Sequence, residues 1–216
     1  MPKPTHNPPR DILIVGIVGG IGSGKSAVAH WVAAQDRSIR VFDADVAGHQ
    51  ALSRPEVRER LRSTFGDAIL SDNGSVNRSA LAKRVFGDSA EARAARSKLE
   101  SIVHPVIQSA RESAIESDRS AGDVKAVLVD AALLLEAGWD NRCDAVVFID
   151  APEAVRRQRV AGRGWSPEEF ARREASQWPL ERKKSSADRV IENSRSLDIA
   201  GRELYEYIRQ TLHSRT

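Results

Sequence analysis

Residues Gly19 to Ser26 read GGIGSGKS, which satisfies GxxxxGK[ST], and they follow directly on the apolar run Ile12 to Val18. Strand, glycine-rich turn, then helix start is the setting in which this pattern makes a phosphate-binding loop. Successive backbone N–H groups converge on one anion only where the chain takes conformations that side chains forbid, and glycines permit those. The helix that starts near Gly24 adds unpaired N–H groups and a partial positive charge. Lys25 is then placed to set its ammonium on the β- and γ-phosphates of a nucleotide. The Ser26 hydroxyl is placed to ligate Mg²⁺, which prefers octahedral oxygen coordination. The expected nucleotide-binding residues are Gly20, Ile21, Gly22, Ser23, Gly24, Lys25, Ser26 and Ala27.

The same glycines admit a second reading. Gly22 to Ala27 also satisfy GxGxx[GA], and Asp43 and Asp45 lie about twenty residues on, where a dinucleotide-binding fold carries its ribose acid. An NAD-dependent oxidoreductase built this way leaves Lys25 and Ser26 without a role. A nucleotide-switch protein is a third class, and the chain carries no [NT]KxD guanine motif.

Bulk properties narrow the field. The 216 residues suit one α/β domain with insertions, and 41% hydrophobic with 29% charged residues is ordinary for a soluble protein. The opening MPKPTHNPPR lacks an apolar core, so neither a signal peptide nor a span is expected there, and no other stretch reaches the ~18 apolar residues a membrane helix needs. The expected location is cytoplasmic. Cys143 is the single cysteine, which excludes an internal disulfide, and His6, His30, His49, His104 and His213 show no HxxxH or HExxH spacing. The net charge of +3 is local: Pro152 to Arg189 carries ten Lys/Arg against six Asp/Glu. Arg156, Arg159 and Arg163 recur at i, i+3 and i+7 on one expected helical arc, with Gly162 and Gly164 marking a mobile segment. Such an arc is either a solvated face or a cap that closes on a polyanion. Aromatic residues do not interleave with the basic ones, so nucleic acid is not an expected partner. No feature of the sequence specifies an oligomeric state.

Strands are expected at Ile12 to Val18, Arg40 to Asp43, Ala126 to Asp130, Ala145 to Asp150 and Arg189 to Glu192, alternating with helices. That alternation predicts a doubly wound parallel sheet with ligands at the carboxyl ends of its strands. Between the second and third strands, Pro55 to Phe65, Arg78 to Phe86 and Ser89 to Val103 read as amphipathic helices. An insertion of that length is too large for a loop and is expected to be a substrate-binding subdomain. Asp43 and Asp45 end the second strand; a carboxylate there can orient an acceptor hydroxyl and take its proton, the role assigned to Asp45. Two acids ending a strand also serve as a turn and helix cap, and both readings stand. Val127-Leu128-Val129-Asp130 has the Walker B pattern, with Asp130 holding Mg²⁺ directly or through water.

Taken in order, these motifs resemble the dephospho-coenzyme A kinase family from Ile14 to about Leu204. Its GLTGGIGSGKS opening is matched by Gly16-Ile17-Val18 and GGIGSGKS, and its DAD motif with a basic residue four on by Asp43, Ala44, Asp45 and His49. Arg78-Ser79-Ala80-Leu81 with Val85-Phe86 and Leu99 to Pro105 follow its insertion, the latter like LexIxHP. Asp130 to Glu136 is similar to DxPLLFE. Gln158-Arg159, Arg163, Gln177, Ala187-Asp188 and Ile191-Glu192-Asn193 follow its lid and C-terminal order. Ala27, Asn77, Ala132 and Leu135 depart from the usual Thr, Asp, Pro and Phe, and Asn77 still suits a helix N-cap.

The resemblance implies transfer of the ATP γ-phosphate, with Mg²⁺, to the ribose 3′-hydroxyl of dephospho-CoA. It implies a P-loop core from residues 11–45, 124–151 and 186–216, a helical CoA-binding subdomain over 46–123 and a mobile helical lid over 152–185; the proline-rich residues 1–10 are expected to be a disordered tail. On matching positions Asp45 is the base and Lys25, Arg159 and Arg163 act on the transferring phosphates. Asn193 lies near the adenine, while His49, Arg78, His104, Asp130 and Leu134 join Asp45 at the acceptor. His104 before Pro105 also reads as a plain helix end. Another small-molecule P-loop kinase is the neighbouring alternative.

Overall fold

The computed structural model describes residues 12–85, 87 and 89–215. The expected tail over 1–10 lies outside them, as does Phe86. Five strands, β1 (Leu13–Gly19), β2 (Ile39–Asp43), β3 (Ala126–Asp130), β4 (Ala145–Asp150) and β5 (Arg189–Glu192), form one sheet in the order β2-β3-β1-β4-β5. All neighbouring pairs are parallel. Strands buried on both faces read as unbroken apolar runs, and β1 and β3 are buried at every position.

This order decides between the two readings of the glycines. In a dinucleotide-binding fold the second strand lies beside the first. Here β3 lies between them, pairing Ile17 with Asp130 on one side and Asp43 with Asp130 on the other. The oxidoreductase alternative is therefore corrected by topology.

Two compact units divide the chain: residues up to Asp43 with those from Ala114 onward, and Ala44–Ser113. In the first, Leu13, Val15 and Ile17 of β1 meet Val28, Ala29 and Val32 of α1 (Lys25–Gln35) and Ala200, Leu204 and Ile208 of α9 (Leu197–His213). Burying each of the Val, Leu and Ile side chains stabilises by roughly 1.5–3 kcal/mol, so this layer fixes where the end of β1 and the start of α1 sit. Helices α6 (Glu153–Ala161), α7 (Pro167–Ala175) and α8 (Leu180–Ser185) fill the chain between β4 and β5. The expected arc of three arginines is corrected at its end. Helix α6 stops at Ala161, and Arg163 N donates to Val160 O in a turn that leads to Gly164 at φ +82°.

The second unit holds α2 (Ala44–Leu52), α3 (Pro55–Phe65), α4 (Arg78–Val85) and the first part of α5 (Ala90–Ala121). Asn77 caps α4, its Oδ1 accepting from Ala80 N at 3.0 Å. Two expectations change here. Strand β2 ends at Asp43 and α2 begins at Ala44, so Asp45 stands in the first turn of a helix and not on a strand. Helix α5 does not stop at Val103 or at His104. It runs for 32 residues with Pro105 inside it. An interior proline costs about 3 kcal/mol, removing one N–H and crowding the carbonyl four residues back. Buried Ala92, Ile102, Val103 and Ile107 on the apolar stripe of the helix offset that cost.

Candidate active site

The loop between β1 and α1 takes its shape from two left-handed glycines, Gly22 at φ +78° and Gly24 at φ +88°. A side chain at either is strained, and a Cβ at Gly22 would meet the Arg156 carbonyl oxygen at 2.6 Å. Ser23 N donates to Gly20 O at 3.0 Å and closes the turn. Among the described residues neither the Gly22 nor the Gly24 amide donates to a protein acceptor. With no acidic residue in its first turn, α1 presents an uncompensated positive end. Free amides, left-handed glycines and a helix N-terminus together make an anion cradle.

Lys25, the first residue of α1, donates from Nζ to Asp130 Oδ1 at 2.7 Å and reaches Ser26 Oγ at 3.5 Å. Asp130 ends β3, is 2% exposed and stands beside Asp43 across the sheet. The loop lysine, the loop hydroxyl and the strand-end carboxylate are thus brought together within one unit. A hydroxyl and a carboxylate are the hard oxygen donors that Mg²⁺ selects. Among the described residues no group of three or more His, Cys, Asp or Glu side chains is arranged to hold a metal by itself. An ion here would complete its shell with water and phosphate oxygens.

Arg159 and Asn193 also meet the loop. Arg159 Nη1 donates to Ser23 O at 2.9 Å and Nη2 to Asn193 O at 2.7 Å. Asn193 Nδ2 donates to Ser23 O at 2.8 Å, and this side chain is 2% exposed. Both residues brace loop carbonyls. Arg163 is exposed, and its side chain makes no hydrogen bond or ion pair among the described residues. Arg156, which the sequence placed on the arc without a role, is buried against Ile21 O at 3.2 Å and ion-paired with Glu174. A second buried pair, Lys183 with Glu136 at 2.8 Å, was not singled out either. Lys183 also donates to Ala132 O and Gln177 Oε1, which ties the segment after Asp130 to α8. Only the family order of Glu136 and Gln177 hinted at it.

Leu134 is corrected from acceptor contact to core. It is fully buried, and its side chain fills the space over Gly16 of β1.

In the second unit, Asp45 and His49 lie four residues apart on α2, hence on one face, and both are exposed. Arg78 is the exposed first residue of α4. His104 is half-buried on α5. Burial holds its imidazole below the ordinary value near 6.5, and Glu100 one turn earlier opposes that shift more weakly.

Comparison with known proteins adds a family to this geometry. A family model described as dephospho-CoA kinase matches residues 13–198. A dephospho-CoA kinase from Symbiobacterium thermophilum is 38% identical over 188 residues, 86% of this chain and 75% of the relative. One from Rhodopirellula baltica is 36% identical over 193 residues, 89% and 88% of the two chains. The crystal structure of TT1252 from Thermus thermophilus superposes with a TM-score of 0.76 at 33% identity, covering 93% of this chain and 98% of that one.

Proposed function

This chain belongs to the dephospho-CoA kinase family, and we propose that its phosphate-binding loop, Lys25 and Asp130 serve ATP while Asp45 serves the acceptor. The protein is a kinase that phosphorylates the ribose 3′-hydroxyl of dephospho-CoA with ATP, giving coenzyme A and ADP in the final step of CoA biosynthesis. The observation that carries the assignment of roles is the ammonium of Lys25, held 2.7 Å from Asp130 beside a loop with unpartnered amides.

The transfer is direct. The acceptor hydroxyl gives its proton to Asp45, its oxygen forms a bond to the γ-phosphorus, and the bond from that phosphorus to the bridging oxygen breaks in line, leaving ADP. Lys25 exchanges Asp130 for the β- and γ-phosphate oxygens, and the loop amides hold the same oxygens. Mg²⁺, carried by Ser26 and Asp130, would neutralise charge on the β- and γ-oxygens. Arg163, with an uncommitted guanidinium just past the end of α6, approaches the transferring group when the exposed part of the lid segment 152–185 closes and excludes water, while α6 stays anchored on the loop through Arg156 and Arg159. Arg159 contributes its charge from its place on the loop carbonyls, and Asn193 borders the adenine.

In this reading the helical unit Ala44–Ser113 is the CoA-binding subdomain, with His49, Arg78 and His104 lining the acceptor site. The nucleotide-binding core is the other unit, residues up to Asp43 and from Ala114 onward, and the lid segment 152–185 belongs to it. Among the described residues no helix is long and apolar enough to cross a membrane. On the kinase reading we assign the reaction, with its small-molecule acceptor and no nucleic acid, to the cytoplasm. Incubation of the protein with MgATP and dephospho-CoA should yield a product one phosphate heavier by mass spectrometry. Unchanged dephospho-CoA alongside a phosphorylated nucleotide or other small alcohol would contradict the assignment.

A further inference from the structure

We propose that Arg156 is a positioning residue for phosphate transfer: from α6 it grips the carbonyl of Ile21 and so aims the Gly22 amide at the phosphates, with Glu174 of α7 fixing its guanidinium. Arg156 is 3% exposed, and its donors are committed to three acceptors. Nη1 donates to Ile21 O at 3.2 Å and to Glu174 Oε1, while Nε donates to Ala151 O at 3.2 Å. Its guanidinium lies 5.4 Å from the centre of the Phe170 ring, and Phe170 is itself buried on α7.

The effect on the loop follows from peptide planarity. In a trans peptide the carbonyl of one residue and the N–H of the next point in opposite directions. A guanidinium that holds Ile21 O on the outer side therefore turns Gly22 N–H toward the inner side, where no described acceptor meets it. Arg159 and Asn193 do the same two residues on, holding Ser23 O and turning Gly24 N–H inward. Stability alone is a poor account of such a group. A buried ion pair is generally replaceable by apolar residues of similar volume at little or no cost, whereas a donor aimed at one loop carbonyl is not. Glu174 gives α7 a share in the device, because the carboxylate sets the plane in which the guanidinium fork meets the loop.

The inference deepens the kinase reading, and its test separates the two. ADP affinity by calorimetry and steady-state kinetics are measured for the wild type, Arg156→Ala, Arg156→Lys and Glu174→Gln. Arg156→Ala should weaken ADP and raise the KM for ATP by about tenfold or more, the loss expected of a charge-assisted hydrogen bond. The KM for dephospho-CoA should stay within about twofold. Arg156→Lys, which retains charge and one donor, should recover part of the ADP affinity, and Glu174→Gln should shift it in the same direction as Arg156→Ala by less. A lowered melting temperature with ADP affinity and KM for ATP unchanged overturns the proposal. If Arg156→Ala does not fold, wild-type ADP affinity in both other variants overturns it equally. ADP binding needs no acceptor, so a wild type that binds ADP and leaves dephospho-CoA untouched refutes the kinase reading while the ADP arm still decides this one.

Discussion

Lys25 Nζ lies 2.7 Å from Asp130 Oδ1, joining the first residue of α1 to the last residue of β3. The pair ties α1, the helix that follows the loop after β1, to the strand that pairs with β1 at Ile17 and Asp130. Its consequence is chemical. Asp130 is almost wholly buried and requires a cation, so the site keeps an ammonium at the loop; in the proposed reading the same carboxylate would hold Mg²⁺ once phosphates take that ammonium away.

Asp45 stands in the first turn of α2, where a carboxylate has the helix N-terminus behind it. Asp45→Asn keeps the size of the side chain and removes its basicity. Turnover should fall by about 10²- to 10⁴-fold with little change in ATP binding. Steady-state kinetics with both substrates varied check this; a change confined to the KM for ATP would make Asp45 a structural or metal residue.

Gly24 is held at φ +88°, and a methyl there would collide with the Asn193 amide that braces Ser23 O. The backbone strain alone costs alanine roughly 1–2 kcal/mol. Gly24→Ala should lower kcat/KM for ATP by about tenfold or more and reduce the melting temperature by several degrees. Retained wild-type kinetics would mean that the loop reaches its working shape without that turn.

His104 carries a pH signature. Because burial lowers its folded-state value, the unfolded chain binds a proton that the folded chain resists once the pH drops below about 6.5. The stability is therefore complete above that pH and declines as pH falls toward the folded value. Below the folded value the decline stops. Urea midpoints at about pH 7.5 and about pH 5 should differ more for the wild type than for His104→Gln. Equal differences would exclude a contribution from His104.

Much of the core could be read locally. Strands β3, β4 and β5 and helix α3 have the bounds expected from the apolar runs and their turn residues, and β1 differs by one residue at each end. Local signals failed where a longer-range term outweighed them. Pro105 argues for a helix end, yet packing along 32 residues carries α5 through it. Asp45 sits where strand passes to helix without a spacer, a boundary that neither periodicity resolves. Leu134 has the composition of a pocket wall or of a core, and only burial against β1 distinguishes them. Arg156 meets Ile21 across 135 residues of sequence, so nothing near either residue announces the contact.

The central claim is that the ammonium of Lys25 passes from Asp130 to the ATP phosphates during transfer to the 3′-hydroxyl of dephospho-CoA. It is tested most directly by the rate of that transfer in Lys25→Ala against the wild type, with the phosphate located on the product by ³¹P NMR. The wild type should form the 3′-phosphate, and the variant should be slower by about 10²- to 10³-fold, the effect of losing one preorganised electrostatic donor. Wild-type turnover in Lys25→Ala, or phosphate appearing at another position, would contradict it.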